Sequence, residues 1–258
     1  VGLPYSELDN ANGLTVDDVN GDGLPDLLVA TGEGHLSRLY INDQNGGFET
    51  PIGIDSAAST EVIAAVDVDG DGDLDLLFGN TGTNVMETNT GTTSDFGNFY
   101  FSFESHEDAG VETVSIAHGD LNGDGLVDLV FGNADGRNEI HEQLAGNLWG
   151  AGNANKVIVG EEVQTTRVRL VDVNNDGELD LVTSNVGSAD TIQFAGPGGL
   201  LASIGTADEG PVVRLGVEVL QTRDIEVLDL GGPLDGGGNP IPDLVLTADD
   251  GEYYILGI

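Results

Sequence analysis

Apolar residues fall in short runs along this chain, and the runs come in pairs. An alternating segment (14–16, 63–65, 116–118, 168–170 and 225–227) leads into a cluster of Asp, Asn and Gly. A continuously apolar segment follows (27–29, 76–78, 129–131, 181–182 and 244–246). Short alternation predicts a half-buried strand, and an unbroken run of Val, Leu and Phe predicts a strand buried on both faces. A Gly/Asn turn then leads to a third strand, as at 39–41 or 253–256. A more polar fourth strand, as at 99–103 or 157–159, completes the unit.

The first acid of each cluster serves as a ruler. Asp18, Asp67, Asp120, Asp172 and Asp229 are 49, 53, 52 and 57 residues apart. The pieces left at the two ends together make one more unit. Four strands in about fifty residues, repeated, predict an all-β chain and a β-propeller of five four-stranded blades. The last unit stops after its third strand, so residues 1–5 are expected to supply its outer strand and close the ring. No linker is visible, and residues 1–258 read as a single domain. The segments 88–97, 195–211 and 231–242 are expected to be surface loops.

The chain has 258 residues, 39% of them hydrophobic, which is enough for a core. Its 46 acidic and 7 basic residues give a formal charge of −39. Phosphate recognition needs basic patches, so nucleic acid and anionic membranes are excluded as partners. Cysteine is absent, which excludes disulfides and thiolate chemistry. No apolar run is long enough to span a bilayer as a helix. A chain that begins at Val1 without a leader reads as a processed protein or an excised domain.

The acid clusters have the form of cation loops. Position 1 is Asp18, Asp67, Asp120 and Asp172; position 3 is Asn20, Asp69, Asn122 and Asn174. Position 5 is Asp22, Asp71, Asp124 and Asp176, followed by glycine. Position 7 varies (Leu24, Asp73, Leu126, Glu178), which fits a ligand drawn from the backbone carbonyl. Position 9 is Asp26, Asp75, Asp128 and Asp180. Oxygen ligands on alternate residues around a sharp glycine turn suit Ca²⁺, which takes six to eight oxygens; Mg²⁺ keeps its waters, and Zn²⁺ lacks its usual His and Cys ligands. Helical calcium loops need an acid near position 12, where this chain has Val29, Phe78, Phe131 and Thr183. Four calcium sites are expected. At a hundredfold excess of ion over its dissociation constant, each would contribute about 2.7 kcal/mol. A fifth, degenerate loop could gather Asp229, Asp235 and Asp243 across a Gly/Pro insertion.

At these residues the chain resembles the FG-GAP/VCBS repeat family, the propeller type of integrin α-subunits and many secreted bacterial proteins. The matching segments are 18–27, 67–80, 120–133 and 172–181; the middle two run into Phe78-Gly79-Asn80 and Phe131-Gly132-Asn133. The resemblance implies calcium in the hairpin loops and an extracellular, secreted or cell-surface setting. It leaves three functions open: a non-catalytic binding or adhesion module for a glycan or protein surface, the scaffold of a polysaccharide lyase or hydrolase, or a structural module of a larger adhesin. The chain departs from the integrin pattern in having about five units.

Outside the loops the signals are weaker. His118 stands where the other units carry Val16, Ala65, Leu170 and Val227, and reads as a buried or channel-lining histidine. His35, His106 and His141 form no catalytic arrangement, and no catalytic residue is assigned. Lys156, Arg167, Arg169, Arg214 and Arg223 concentrate the positive charge. They read as ion pairs with Glu161, Glu162, Glu218 or Glu226, or as a site for a glycan carboxylate or sulfate. Trp149 reads as outer-strand packing, or as a ring free to stack on a sugar. The chain is expected to act as a monomer or as part of a longer multidomain protein.

Overall fold

The computed structural model describes residues 10–32, 34–54, 59–89, 100–102, 111–134, 136–145, 148–149, 155–204, 210–215, 222–228, 243–248 and 253–257. The expected closing strand at 1–5, Asp229 and Asp235 lie outside the described residues. Within them the chain is all-β apart from one short helix, α1 (Leu200–Ser203). Among the described residues, no helix is long and apolar enough to cross a membrane.

The chain divides into two compact units, Val1–Val114 and Ser115–Ile258. The first unit holds two antiparallel meanders in which sheet order follows chain order. One is β1 (Ala11–Asp17), β2 (Asp26–Thr31), β3 (Ser37–Tyr40) and β4 (Ile52–Ile54). The other is β5 (Thr60–Val66), β6 (Asp75–Asn80), β7 (Val85–Glu87) and β8 (Tyr100–Ser102). Every residue of β6 is buried, as an unbroken apolar run requires. Leu28, Leu39 and Ile54 of the first meander share a core with Ile63, Leu76 and Phe78 of the second.

The next strands are β9 (Thr113–Gly119), β10 (Asp128–Asn133) and β11 (Gly136–His141). The pair β12 (Gln143–Leu144) and β13 (Leu148–Trp149) forms a small hairpin. The strands β14 (Lys156–Val171), β15 (Asp180–Val186), β16 (Asp190–Gln193) and β17 (Val212–Leu215) follow. The sequence predicted separate strands at 157–159 and 168–170, but the structure joins them in the sixteen residues of β14. Its first half pairs with β11 and its second half with β15. Two repeats thus merge into one seven-stranded sheet, in the order β17-β16-β15-β14-β11-β10-β9. The last three strands, β18 (Thr222–Leu228), β19 (Asp243–Ala248) and β20 (Tyr253–Gly257), make a separate sheet.

In four repeats the first strand carries an irregularity at the same place, between Ala11 and Gly13, Thr60 and Val62, Thr165 and Arg167, and Thr222 and Asp224. A bulge there adds one residue and increases the local twist. The segment 195–211, expected to be a surface loop, is partly core. Leu200 is buried among Leu121, Val130 and Leu181, and the Leu201 N–H donates to the Leu121 carbonyl at 3.0 Å. The apolar side chain of Leu200 repays burial, and the single helical turn satisfies local backbone groups.

Candidate metal centre

Each acidic loop joins the first two strands of its repeat. The residue before position 1 pairs with position 9: Asp17 with Asp26, Val66 with Asp75, and Val171 with Asp180. The sheet therefore fixes both ends of the loop, and the residues between them must turn sharply. Position 6 does so with positive-φ glycine in all four copies, Gly23, Gly72, Gly125 and Gly177. Position 4 does the same with Gly21, Gly70 and Gly123, and in the fourth copy with Asn175 at φ 58°. Asn is among the side chains that best tolerate this left-handed region.

The side chains then bond back to the loop. At position 1, Asp67 accepts the N–H groups of Gly70 at 2.7 Å and Gly72 at 3.0 Å. Asp18 accepts from Asp22 and Gly23, Asp172 from Asp176 and Gly177. Asp120 accepts from Asn122, Gly123, Asp124 and Gly125. Burial raises the Asp120 carboxyl, but these N–H bonds outweigh it and hold its pKa below the usual carboxylate value. Position 3 oxygens (Asn20, Asp69, Asn122, Asn174) accept the position 5 N–H, and position 5 oxygens (Asp22, Asp71, Asp124, Asp176) accept the N–H of Leu24, Asp73, Leu126 and Glu178. These bonds gather the side-chain oxygens of positions 1, 3 and 5 around the loop's own backbone N–H groups.

In the second loop, ligand oxygens of Asp67, Asp69 and Asp71 all lie within 4.8 Å of one another. Three carboxylates so close repel one another. Burial first, then the charges of Asp71 and Asp67, push the Asp69 carboxyl up. A dication relieves this repulsion, and the all-oxygen donor set is the hard one that Ca²⁺ takes. In the other three loops the position 3 amide instead donates to the position 5 carboxylate: Asn20 to Asp22, Asn122 to Asp124 and Asn174 to Asp176, at 2.9–3.3 Å.

Position 9 has a second role that the sequence did not reveal. Asp26, Asp75, Asp128 and Asp180 are all fully buried. One oxygen of each accepts the position 2 N–H, from Val19, Val68, Leu121 or Val173, at 2.9–3.1 Å. The other accepts an N–H from beyond the third strand, from Asn42, Asn89, Gln143 or Ala195, at 2.7–2.9 Å. The carboxylate thus braces the loop against the meander. Burial pushes Asp26 and Asp180 up, and pushes Asp75 and Asp128 up to about 6. Each oxygen has two lone-pair directions, so a braced carboxylate can still face a cation.

A family model for the FG-GAP-like repeat matches residues 18–78 and 120–183, the segments that contain the loops. The chain carries FG-GAP-like repeats. Among solved structures, it is similar to a crystal structure of BBS1N in complex with ARL6DN, soaked with lead. The TM-score is 0.57 and the identity 12%, over 96% of this chain and 66% of that one. A mercury-soaked crystal of the same complex gives a TM-score of 0.53 and 10% identity, over 96% and 78%. The chain therefore spans about two thirds of the length of the first. Likeness at this identity shows the fold alone, a β-propeller module. No curated protein matches the chain.

The repeats share a second constellation at the other end of the second strand. Seven residues before each position 1 stand Thr60, Thr113, Thr165 and Thr222, all buried, with Ala11 in the first copy. Thr60 Oγ1 donates to Asn80 at 2.8 Å, and Thr165 Oγ1 to Asn185 at 3.2 Å. Thr222 Oγ1 donates to Asp190 at 2.7 Å. Thr113 Oγ1 accepts from Asn84 Nδ2 at 3.0 Å. Asn80, Asn133 and Asn185 in turn hold the next turn, donating to the Thr83, Arg137 and Ala189 carbonyls. Aligning the repeats by position 1 brings these threonines into register, a signal the search for acids passed over.

The remaining candidates separate. Arg169 pairs with Glu226 at 2.8 Å, as expected; Arg167 pairs with Asp224 at 2.7 Å and Lys156 with Glu139 at 2.9 Å. Buried Glu139 also holds His141 at 3.1 Å. His118 is exposed on β9 rather than buried, and His35 is exposed in the turn before β3. Arg223 is exposed at the irregularity of β18. Trp149 lies in β13 opposite Gln143; His106 is outside the described residues. Asp243 opens β19, paired with Leu228.

Proposed function

We propose that this chain is a calcium-stabilised β-propeller that works outside the cell as a non-catalytic binding module for a glycan or protein surface. The observation that carries the reading is the common build of the four loops, each gathering its position 1, 3 and 5 oxygens around N–H groups of its own backbone. Ca²⁺ would take the oxygens at positions 1, 3 and 5, the carbonyl at position 7 and the outer face of position 9. Millimolar extracellular calcium suits weak sites of this kind, and FG-GAP repeats are typical of extracellular proteins. The first test is a melt with and without EDTA followed by a glycan-array and cell-surface binding screen. An unchanged melt would sink the calcium reading, and calcium-loaded protein that binds no surface or glycan would sink the binding reading.

The ring has five blades in this proposal, with residues 1–5 completing the last. Removing residues 1–5 would leave the last blade with an unpaired edge, so the shortened chain should melt several degrees lower; an unchanged melt would count against closure.

A further inference from the structure

The second unit contains a cavity of about 320 Å³ between β11, β14 and one face of the β15–β17 meander. It lies where the fourth copy differs from the second and third. Position 12 holds Phe78 and Phe131 in the second and third copies, at 1% and 0% exposure. In the fourth copy it holds Thr183, which lines the cavity. The residue opposite on the third strand is Val85, Glu139 or, in the fourth copy, Thr191. Leu76 and Leu129 face Glu87 and His141, where Leu181 faces Gln193. The fourth copy thus carries small hydroxylated side chains where the second and third carry a large ring, which leaves room that those two repeats fill; the first copy carries Val29 at position 12.

The floor of the cavity is two cross-strand rows, Leu181–Gln193–Val212 and Thr183–Thr191–Arg214. Asn138 and the positive-φ Gly160, where β14 passes from one repeat to the next, form the opposite wall. Among the described lining residues Arg214 carries the charge and the others are neutral. The adjacent Asp190 alternates to the other face of β16, where it accepts from Thr222. The described lining holds no aromatic ring on which the apolar face of a neutral sugar would stack.

We propose that this groove binds the carboxylated sugar unit of an acidic glycan. Arg214 takes the carboxylate through its fork, and Thr183, Thr191 and Gln193 exchange hydrogen bonds with ring hydroxyls. The volume is at the small end of ligand pockets and admits one or two sugar units, so it reads a terminus or a local feature rather than a long stretch of polymer. The proposal rests on the glycan half of the reading above and names its ligand class.

The test is calorimetry on the calcium-loaded full chain with glucuronate, galacturonate, glucose and acetate as probes. A uronate is expected to bind at least tenfold more tightly than glucose or acetate, because both the charge and the hydroxyls are used. Thr183→Phe installs the residue of the second and third copies, so the variant is expected to keep its melting temperature and lose uronate binding at least tenfold. Arg214→Gln is expected to keep the melt and erase the preference for uronate over glucose. Absence of uronate binding in the wild type overturns the proposal, as does a folded Thr183→Phe variant that binds normally. If that variant does not fold, unchanged uronate affinity in Arg214→Gln overturns it. Array binding that survives both substitutions sinks the groove but leaves the wider glycan reading standing; wild-type protein with no array binding sinks the wider reading itself.

Discussion

Asp75 Oδ1 accepts the backbone N–H of Asn89 at 2.7 Å, across fourteen residues of chain, while its Oδ2 accepts from Val68 at 2.9 Å. One fully buried carboxylate thus ties an acidic loop both to itself and to the end of its meander. Asp75→Asn keeps the volume but turns an amide N–H toward one of the two donors. Hydrogen bonds to a charged group contribute about 1.5–3 kcal/mol, so a loss of about 2 kcal/mol is expected in urea unfolding with calcium present. Wild-type stability in that variant would show that the brace contributes nothing.

Calcium affinity should follow the front of the loop. Asp71→Asn removes one charge from the Asp67, Asp69 and Asp71 group but keeps an oxygen that can accept the Asp73 N–H. Its calcium affinity at that loop is expected to fall at least tenfold, while the melt in EDTA stays level with wild type or rises as repulsion is relieved. A melt that falls equally with and without calcium would assign Asp71 to the framework instead.

Asp190 provides a pH signature away from the metal loops. Burial raises its pKa, against the bonds from Thr222 and Asn185. A carboxyl whose folded pKa lies above its unfolded value binds its proton more tightly in the folded state. Stability from this group is therefore full below about pH 4 and falls as pH rises through the folded pKa. Asn84 and Asn138 hold the equivalent place in the two preceding repeats. Asp190→Asn should remove this dependence and stabilise the protein at pH 7 by about 1 kcal/mol, with Thr222 turning its hydroxyl to accept as Thr113 does from Asn84. Urea melts at pH 5 and pH 7 read it: an Asn variant less stable than wild type at pH 7 refutes the assignment.

The buried threonines make the complementary case. Thr60→Val is nearly isosteric but withdraws the donor from Asn80 Oδ1. Leaving a buried acceptor without its bond costs about 1–3 kcal/mol, and the loss should appear in thermal unfolding without any change in calcium affinity. A shift in calcium affinity would mean that the two ends of the second strand are coupled.

The residues that announced themselves in the sequence were those whose chemistry is local. Asp67, Asp69 and Asp71 converge because they are alternate residues on one tight loop, so their spacing was enough to bring them together. The strand from Asp75 to Asn80 was legible for the same reason, since an unbroken apolar run admits few other fates. Position 9 was read as one more ligand, because nothing local says that Asp75 will meet Asn89. Arg167 was assigned to glutamates, yet it meets Asp224, fifty-seven residues away in the next repeat. The segment at 195–211 looked like loop by composition, and only the site beneath Leu200 made it core.

By itself, the sequence determined the repeat, the strands and the acidic turns, because hydrophobic period, glycine conformations and ligand spacing act over ten residues or fewer. The tertiary structure decided what those pieces meet. It ran two predicted strands together in β14, set the carboxylate of position 9 between two distant N–H groups, and hung threonine latches at the far end of the second strands. Each of these depends on how separate repeats pack against one another. A pattern that recurs about every fifty residues implies that packing but does not spell out its contacts.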